Sequence, residues 1–222
     1  MAKTSWTTTK APVSSGSKDI VRVDWKSRTD FKCRFTGDVL PRYVYWVTTK
    51  EGKKRSIECL SFNRETEQFD PNLQDPIKEI PPEIYGGGQN EKPSFAYVAQ
   101  SFDRSNGVMT LHDPLKKQAY DEIVALAQNP EYGDPSDPVK GYDVTITKVK
   151  TGPLAQNVKY KVTAGRASTP LSEEELKVEK YDLDKLFKRP TYEEQKKWLL
   201  ENTTYFLGQA GAEGTLEGAK DL

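Results

Sequence analysis

Between positions 19 and 55 of this chain, cations and flat aromatic rings interleave along strand-like segments. Ten positive side chains, among them Arg22, Lys26, Arg28, Lys32, Arg34, Arg42, Lys53, Lys54 and Arg55, stand against five acids. Between them lie Trp25, Phe31, Phe35, Tyr43, Tyr45 and Trp46. Cations that neutralise phosphates, set beside rings on which bases stack, are what a single-stranded nucleic-acid groove requires. The competing reading is a core of aromatics under a solvated charged face. Side chains alternate along a strand, so Tyr43, Tyr45 and Val47 share one face while Val44 and Trp46 share the other. At least one of Tyr45 and Trp46 is therefore expected in the core. The stacking candidates are Trp25, Tyr43, Tyr45, Trp46 and Tyr97, and the phosphate candidates are the nine cations named above. Lys148 and Lys150, with Lys159 and Lys161, offer a second wall, or else lysines that protect a hairpin edge.

Other chemistries lack their residues. His112 is the single histidine, and Cys33 and Cys59 are the two cysteines, so no zinc set is expected. His112 reads as a turn histidine at a strand end, capped by Asp113. The triple glycine at 86–88 is followed by Gln-Asn-Glu and not by the lysine of a phosphate-cradling loop. Glu173, Glu174 and Glu175 begin a helix and read as solvated. Neither catalysis nor a cofactor is expected, and no apolar run reaches membrane-spanning length.

Strands are expected at 20–25, 31–35, 42–48 and 56–62, with a basic turn at 50–54 in which Gly52 takes positive φ. Residues 69–93 hold five prolines and the triple glycine, which reads as a long loop. Strands at 95–102 and 108–111 precede a helix opened by Pro114, whose apolar stripe is Leu115, Ala119, Ile123, Leu126 and Ala127. Residues 142–148 and 158–163 form a hairpin. This order predicts a mainly β fold: an oligonucleotide-binding (OB) barrel with one inserted helix and a short helical C-terminal extension. A β-sandwich fits the strand pattern as well.

The 222 residues are 35% hydrophobic and 30% charged, with no net charge, which predicts a modest core with sizeable loops. The expected organisation is a flexible arm at 1–18, in which Trp6 is a candidate contact, a binding core at 19–165, a helical segment at 166–207 and a disordered tail at 208–222. In the helical segment, Ser172 and Thr191 read as caps, the latter with Glu194 three residues on. Residues 171–222 carry eight cations and twelve acids, so an acidic rear half is expected to compete for the basic surface or to bind partners.

Several short motifs together resemble the single-stranded DNA-binding (helix-destabilising) protein family of T-even-type bacteriophages. They are Phe-Ala-Tyr-Val-Ala at 95–99, residues 107–111, Lys-Gln-Ala-Tyr-Asp-Glu-Ile at 117–123, and Gly-Tyr-Asp-Val-Thr-Ile-Thr-Lys-Val-Lys-Thr-Gly at 141–152. Tyr-Lys-Val at 160–162, Lys-Cys-Arg-Phe at 32–35 and residues 42–59 extend the resemblance over most of 19–165. It implies an OB barrel that coats unpaired DNA during replication, recombination and repair in the host cytoplasm, with self-association along DNA and replication or recombination proteins as partners. The alternatives are a protein-interaction module, such as a replisome or virion adaptor, and an RNA-binding barrel. The chain departs from that family in lacking Cys and His across 63–92, where the family holds zinc. Residues 1–17 match its N-terminal basic motif poorly, and residues 208–222 carry only Glu213, Glu217 and Asp221 against Lys220.

Overall fold

A computed structural model of the chain describes residues 20–81, 84, 92–154 and 157–206. The expected arm with Trp6, the triple glycine and the expected tail lie outside the described residues. In chain order the elements are β1 (Asp30–Phe35), β2 (Tyr43–Thr48), β3 (Lys54–Glu58), β4 (Phe62–Asn63), β5 (Gln68–Phe69), a 3₁₀ turn (Pro76–Glu79), β6 (Ser94–Phe95), β7 (Ala99–Asp103) and β8 (Met109–His112). There follow α1 (Lys117–Gln128), β9 (Tyr142–Lys150), β10 (Val158–Ser168), α2 (Glu173–Lys177), α3 (Leu183–Leu186) and α4 (Tyr192–Asn202). The chain divides into two compact units, one of residues 1–41 and 95–187, the other of residues 42–94 and 188–222.

The first unit is built on a five-stranded antiparallel sheet of order β10-β9-β1-β7-β8. Alternation along β1 sends Phe31, Cys33 and Phe35 to one face, where they meet Val144 and Ile146 of β9, Leu115 just ahead of α1, and Ala119 and Ile123 of α1. α1 also guards the outer edge of β10. The Gln118 and Glu122 side chains accept from the Tyr160 and Val162 amides at 2.9 and 2.6 Å, standing in for a missing strand. At the opposite edge, the Val23 amide donates to Leu111 O at 3.0 Å, and the Leu111 amide donates to Val21 O at 2.8 Å.

That pairing is all that forms of the strand expected at 20–25, which is a single bridge at Arg22. The strand stops because the Asp24 carboxylate accepts from the Lys26 amide and the Ser27 hydroxyl, both at 2.8 Å, and turns the chain. Pro114 likewise does not open the helix: α1 begins at Lys117 with Lys116 as its cap. His112 is not a turn residue capped by Asp113. It is buried against Phe31 and Phe35, and its Nε2 lies 2.8 Å from Ser101 Oγ.

The second face of the sheet is covered by residues 171–187. Leu171 packs with Phe102 and Met109, and Leu183 with Leu40, Val98 and Leu111. The Gln100 amide reads the Tyr181 backbone twice, accepting at 2.8 Å and donating at 3.2 Å. Ser172 and Glu175 form a capping box on α2, and Glu175 also pairs with Arg104.

The second unit holds a three-stranded sheet of order β3-β2-β6 and the small β4–β5 hairpin. Gly52 takes φ 76° in the tight β2–β3 turn. Residues 69–93 contain more regular structure than their prolines suggest. Asp75 caps the 3₁₀ turn by accepting from the Ile77 amide, and Pro76 sits where no amide donor is needed. The α4 capping box of Thr191 and Glu194 is present. Its buried Gln195 donates to Glu58 O at 2.6 Å, and Lys50 caps its far end, donating from Nζ to Glu201 O at 2.7 Å.

Candidate nucleic-acid interface

In the first unit the core-facing residues of β9 run Tyr142, Val144, Ile146 and then, beyond the apolar core, Lys148 and Lys150. Register places Tyr160 of β10 opposite Lys148. The Tyr160 ring meets Trp25 edge-on with centroids 5.1 Å apart. Lys148 fixes this approach, donating from Nζ to Trp25 O at 2.6 Å and from its amide to Thr29 O at 2.6 Å. Lys116 reaches over the Tyr160 ring, with Nζ 5.8 Å from the centroid.

The electrostatics here are one-sided. Burial, and then the neighbouring Lys148 charge, push the Lys116 ammonium below the ordinary lysine range. Neither Lys116 nor Lys148 has a carboxylate partner among the described residues. α1 begins at the same place with no side-chain cap and no acid in its first turn, so its positive end is not offset. An anion arriving beside Trp25 and Tyr160 would relieve this uncompensated charge.

Trp25, Lys26 and Lys116, with Val23, Asp113 and Pro114, line a pocket of about 260 Å³. Two acids border it, and both are engaged: Asp24 holds its own turn, and Asp113 pairs with Arg22 at 3.2 Å. Burial drops the His112 imidazole to about 3, so this wall of the pocket carries no charge near neutrality.

Of the sixteen residues expected from sequence, Trp25, Lys26, Lys148 and Lys150 share this side of the first unit. The others in the unit are placed differently. Arg28 pairs with Asp103 at 2.6 Å and lies over Phe31. Lys32 projects from the opposite face of β1, 60% exposed and 3.3 Å from Asp143, and alternation puts Lys159 and Lys161 on that face too. Arg34 is fully buried and holds the carbonyls of Thr169, Phe35, Pro135 and Asp137. Tyr97 is buried and stacked on Phe95 at 4.3 Å. The interior placement of Arg34 and Tyr97 follows from the loop at 133–141 and the start of α1 closing over them, which no local pattern announces.

In the second unit Trp46 is 48% exposed and faces Ser56 across the hairpin, while Tyr45 on the other face is buried. Lys54 and Arg55 are exposed and make no ion pair among the described residues. Lys53 pairs with Glu51 at 2.8 Å, and Arg42 with Glu58 at 2.9 Å. Tyr43 sits between Phe62 and Phe69 at 4.7 and 4.9 Å. The Cys59 thiol donates to the Tyr45 hydroxyl oxygen at 3.4 Å in a buried polar group with Ser61 and Asp75. Trp46 and Lys54 thus share one exposed face of the hairpin, whereas Arg55, opposite Val47, lies on the other.

Sequence reasoning missed Lys116 and Tyr160. A signal was present for Tyr160, which falls opposite Lys148 once the hairpin is registered about its turn, but not for Lys116, because Asp113 immediately precedes the helix start expected at Pro114. Among the described residues no three His, Cys, Asp or Glu side chains are placed to hold a metal, and both thiols are buried and free. No helix among them is long and apolar enough to cross a membrane.

The chain is similar to a phage protein. That relative, from Escherichia phage T5, is described as a probable ssDNA-binding protein and is 28% identical over 223 residues, covering 88% of this chain and 84% of its own length. Its description is that of a binding protein and not an enzyme. Because the relative is from T5, the match does not bear on the T-even family in particular. No family model matches the chain.

Proposed function

We propose that this is a non-catalytic phage protein that binds single-stranded DNA without sequence preference. The observation that carries the reading is the pair of half-buried lysines, Lys116 and Lys148, which have no acid partner among the described residues and lie beside the Trp25 and Tyr160 rings. Phosphates satisfy the cations, bases stack on the rings, and neither contact distinguishes one base from another. The T5 relative's description supports the same ligand. In this reading the five-stranded sheet, its edges tied by α1 and by residues 21–23, is an OB barrel. By occupying unpaired strands and not the duplex, the protein opposes reannealing by mass action. That activity suits the coating and protection of DNA in replication, recombination and repair, as the T-even resemblance implies.

Titrating intrinsic tryptophan fluorescence with oligo(dT), a matched RNA and a duplex, each at low and high salt, tests the proposal. Quenching by oligo(dT) that weakens with salt, with little response to duplex, is the expected result. Tighter binding of RNA, or of duplex, would contradict it.

A further inference from the structure

We infer that the pocket between residues 23–26 and the β8–α1 junction is a subsite for one nucleotide unit, the base against Trp25 and the phosphate on Lys26 and Lys116. This rests on the proposed single-strand binding and adds to it a defined seat for a single residue of the strand. Four observations bear on it. At about 260 Å³ the pocket is an open recess on the scale of one nucleotide unit. Its walls are mixed: Val23, Trp25 and Pro114 give apolar surface for a base, and Lys26 and Lys116 give charge for a phosphate. The Lys116 charge is burdened by burial and by Lys148, so it gains from an anion more than a solvated lysine would. The start of α1 adds its positive end at the phosphate position with no competing acid in its first turn.

The Trp25 ring is held for this role. Its backbone carbonyl is fixed by Lys148 Nζ at 2.6 Å, and its ring rests edge-on against Tyr160 and Phe31 at 5.1 and 6.3 Å. A base entering the pocket therefore meets a ring that need not be ordered on binding. Of the acids in the pocket wall, Asp113 is offset by Arg22 at 3.2 Å, and Asp24, which accepts from the Lys26 amide and the Ser27 hydroxyl, keeps its charge beside Lys26, so Lys116 is the main cation for the phosphate.

The test uses the full chain and the indole N–H signals of its tryptophans, with Trp25 assigned by Trp25→Phe. Thymidine monophosphate, thymidine and inorganic phosphate are titrated separately, and oligo(dT) in parallel. The nucleotide is expected to shift the Trp25 signal and to bind at least tenfold more tightly than thymidine or phosphate. Lys116→Ala is expected to weaken it tenfold or more, whereas Lys177→Ala, at the exposed end of α2, leaves it unchanged. Phosphate binding as tightly as the nucleotide would overturn the subsite in favour of a bare anion site. Oligo(dT) binding with no Trp25 response to the mononucleotide would overturn the subsite and leave the wider interface standing. No response to either ligand would overturn both.

Discussion

Lys116 carries the account at the scale of single residues, because its charge is maintained against burial and a like-charged neighbour. With a lowered folded-state pKa it loses its proton earlier than an exposed lysine as pH rises. Affinity for oligo(dT) is therefore expected to fall on the alkaline side before ordinary lysines titrate. Lys116→Arg, which stays protonated, should abolish that early fall, and fluorescence titrations at stepped pH would check it. His112 makes a second prediction, about stability. Burial lowers its pKa to about 3 from an ordinary 6.5, so the unfolded chain takes up a proton before the folded one. Its contribution is fully present above pH 6.5 and is lost as pH falls toward 3, at up to about 1.4 kcal/mol per pH unit. Urea unfolding between those limits should show the slope, and His112→Gln should flatten it.

At the scale of elements, a buried guanidinium organises the connection between α1 and β9. Arg34 leaves β1 on the face opposite Phe35 and gathers carbonyls from 135, 137 and 169, and Gly141 makes room for it. A Cβ at Gly141 would lie 2.5 Å from both an Arg34 nitrogen and Asp137 O. Arg34→Met would leave those acceptors unpaired in the interior, at a cost of at least about 3 kcal/mol. Thermal unfolding measures this, and the sites around Trp25 give no reason for DNA affinity to change beyond the loss of folded protein. What could be read in the sequence was local. The alternation of Phe31, Cys33 and Phe35, the opposed faces of Tyr45 and Trp46, the hairpin of 142–148 and 158–163 and the capping boxes at Ser172 and Thr191 each depend on neighbours within a few positions. The interior position of Arg34 depends on residues about a hundred positions away, and the end of the strand expected at 20–25 depends on one Asp24 turn. The pairing of Lys116 with Tyr160 needs the packing of α1 on β10. Basic character alone could not separate Arg34 from Lys148.

For the whole molecule, the acidic rear half is not one object. Residues 171–187 belong to the first unit, where they cover the second face of its sheet, and residues from 188 onward belong to the second. Within the first unit, Glu175 is already committed to Arg104, and Leu171 and Leu183 are core residues. This segment is therefore packed as a structural strap across the sheet. Leu183→Ala is expected to destabilise the first unit by about 2–5 kcal/mol without raising DNA affinity, as calorimetry beside a binding titration would show. In this reading the charge that matters for binding is local, not net: the chain sums to zero, yet Lys116 and Lys148 have no acid partner among the described residues. The most direct measurement is the salt dependence of oligo(dT) affinity for the native chain and for a Lys116→Ala, Lys148→Met double variant. Two lost phosphate contacts should make the log–log slope shallower by about 1.4. An unchanged slope in a folded variant, or no binding by the native chain at low salt, would contradict the placement of single-stranded DNA on this surface.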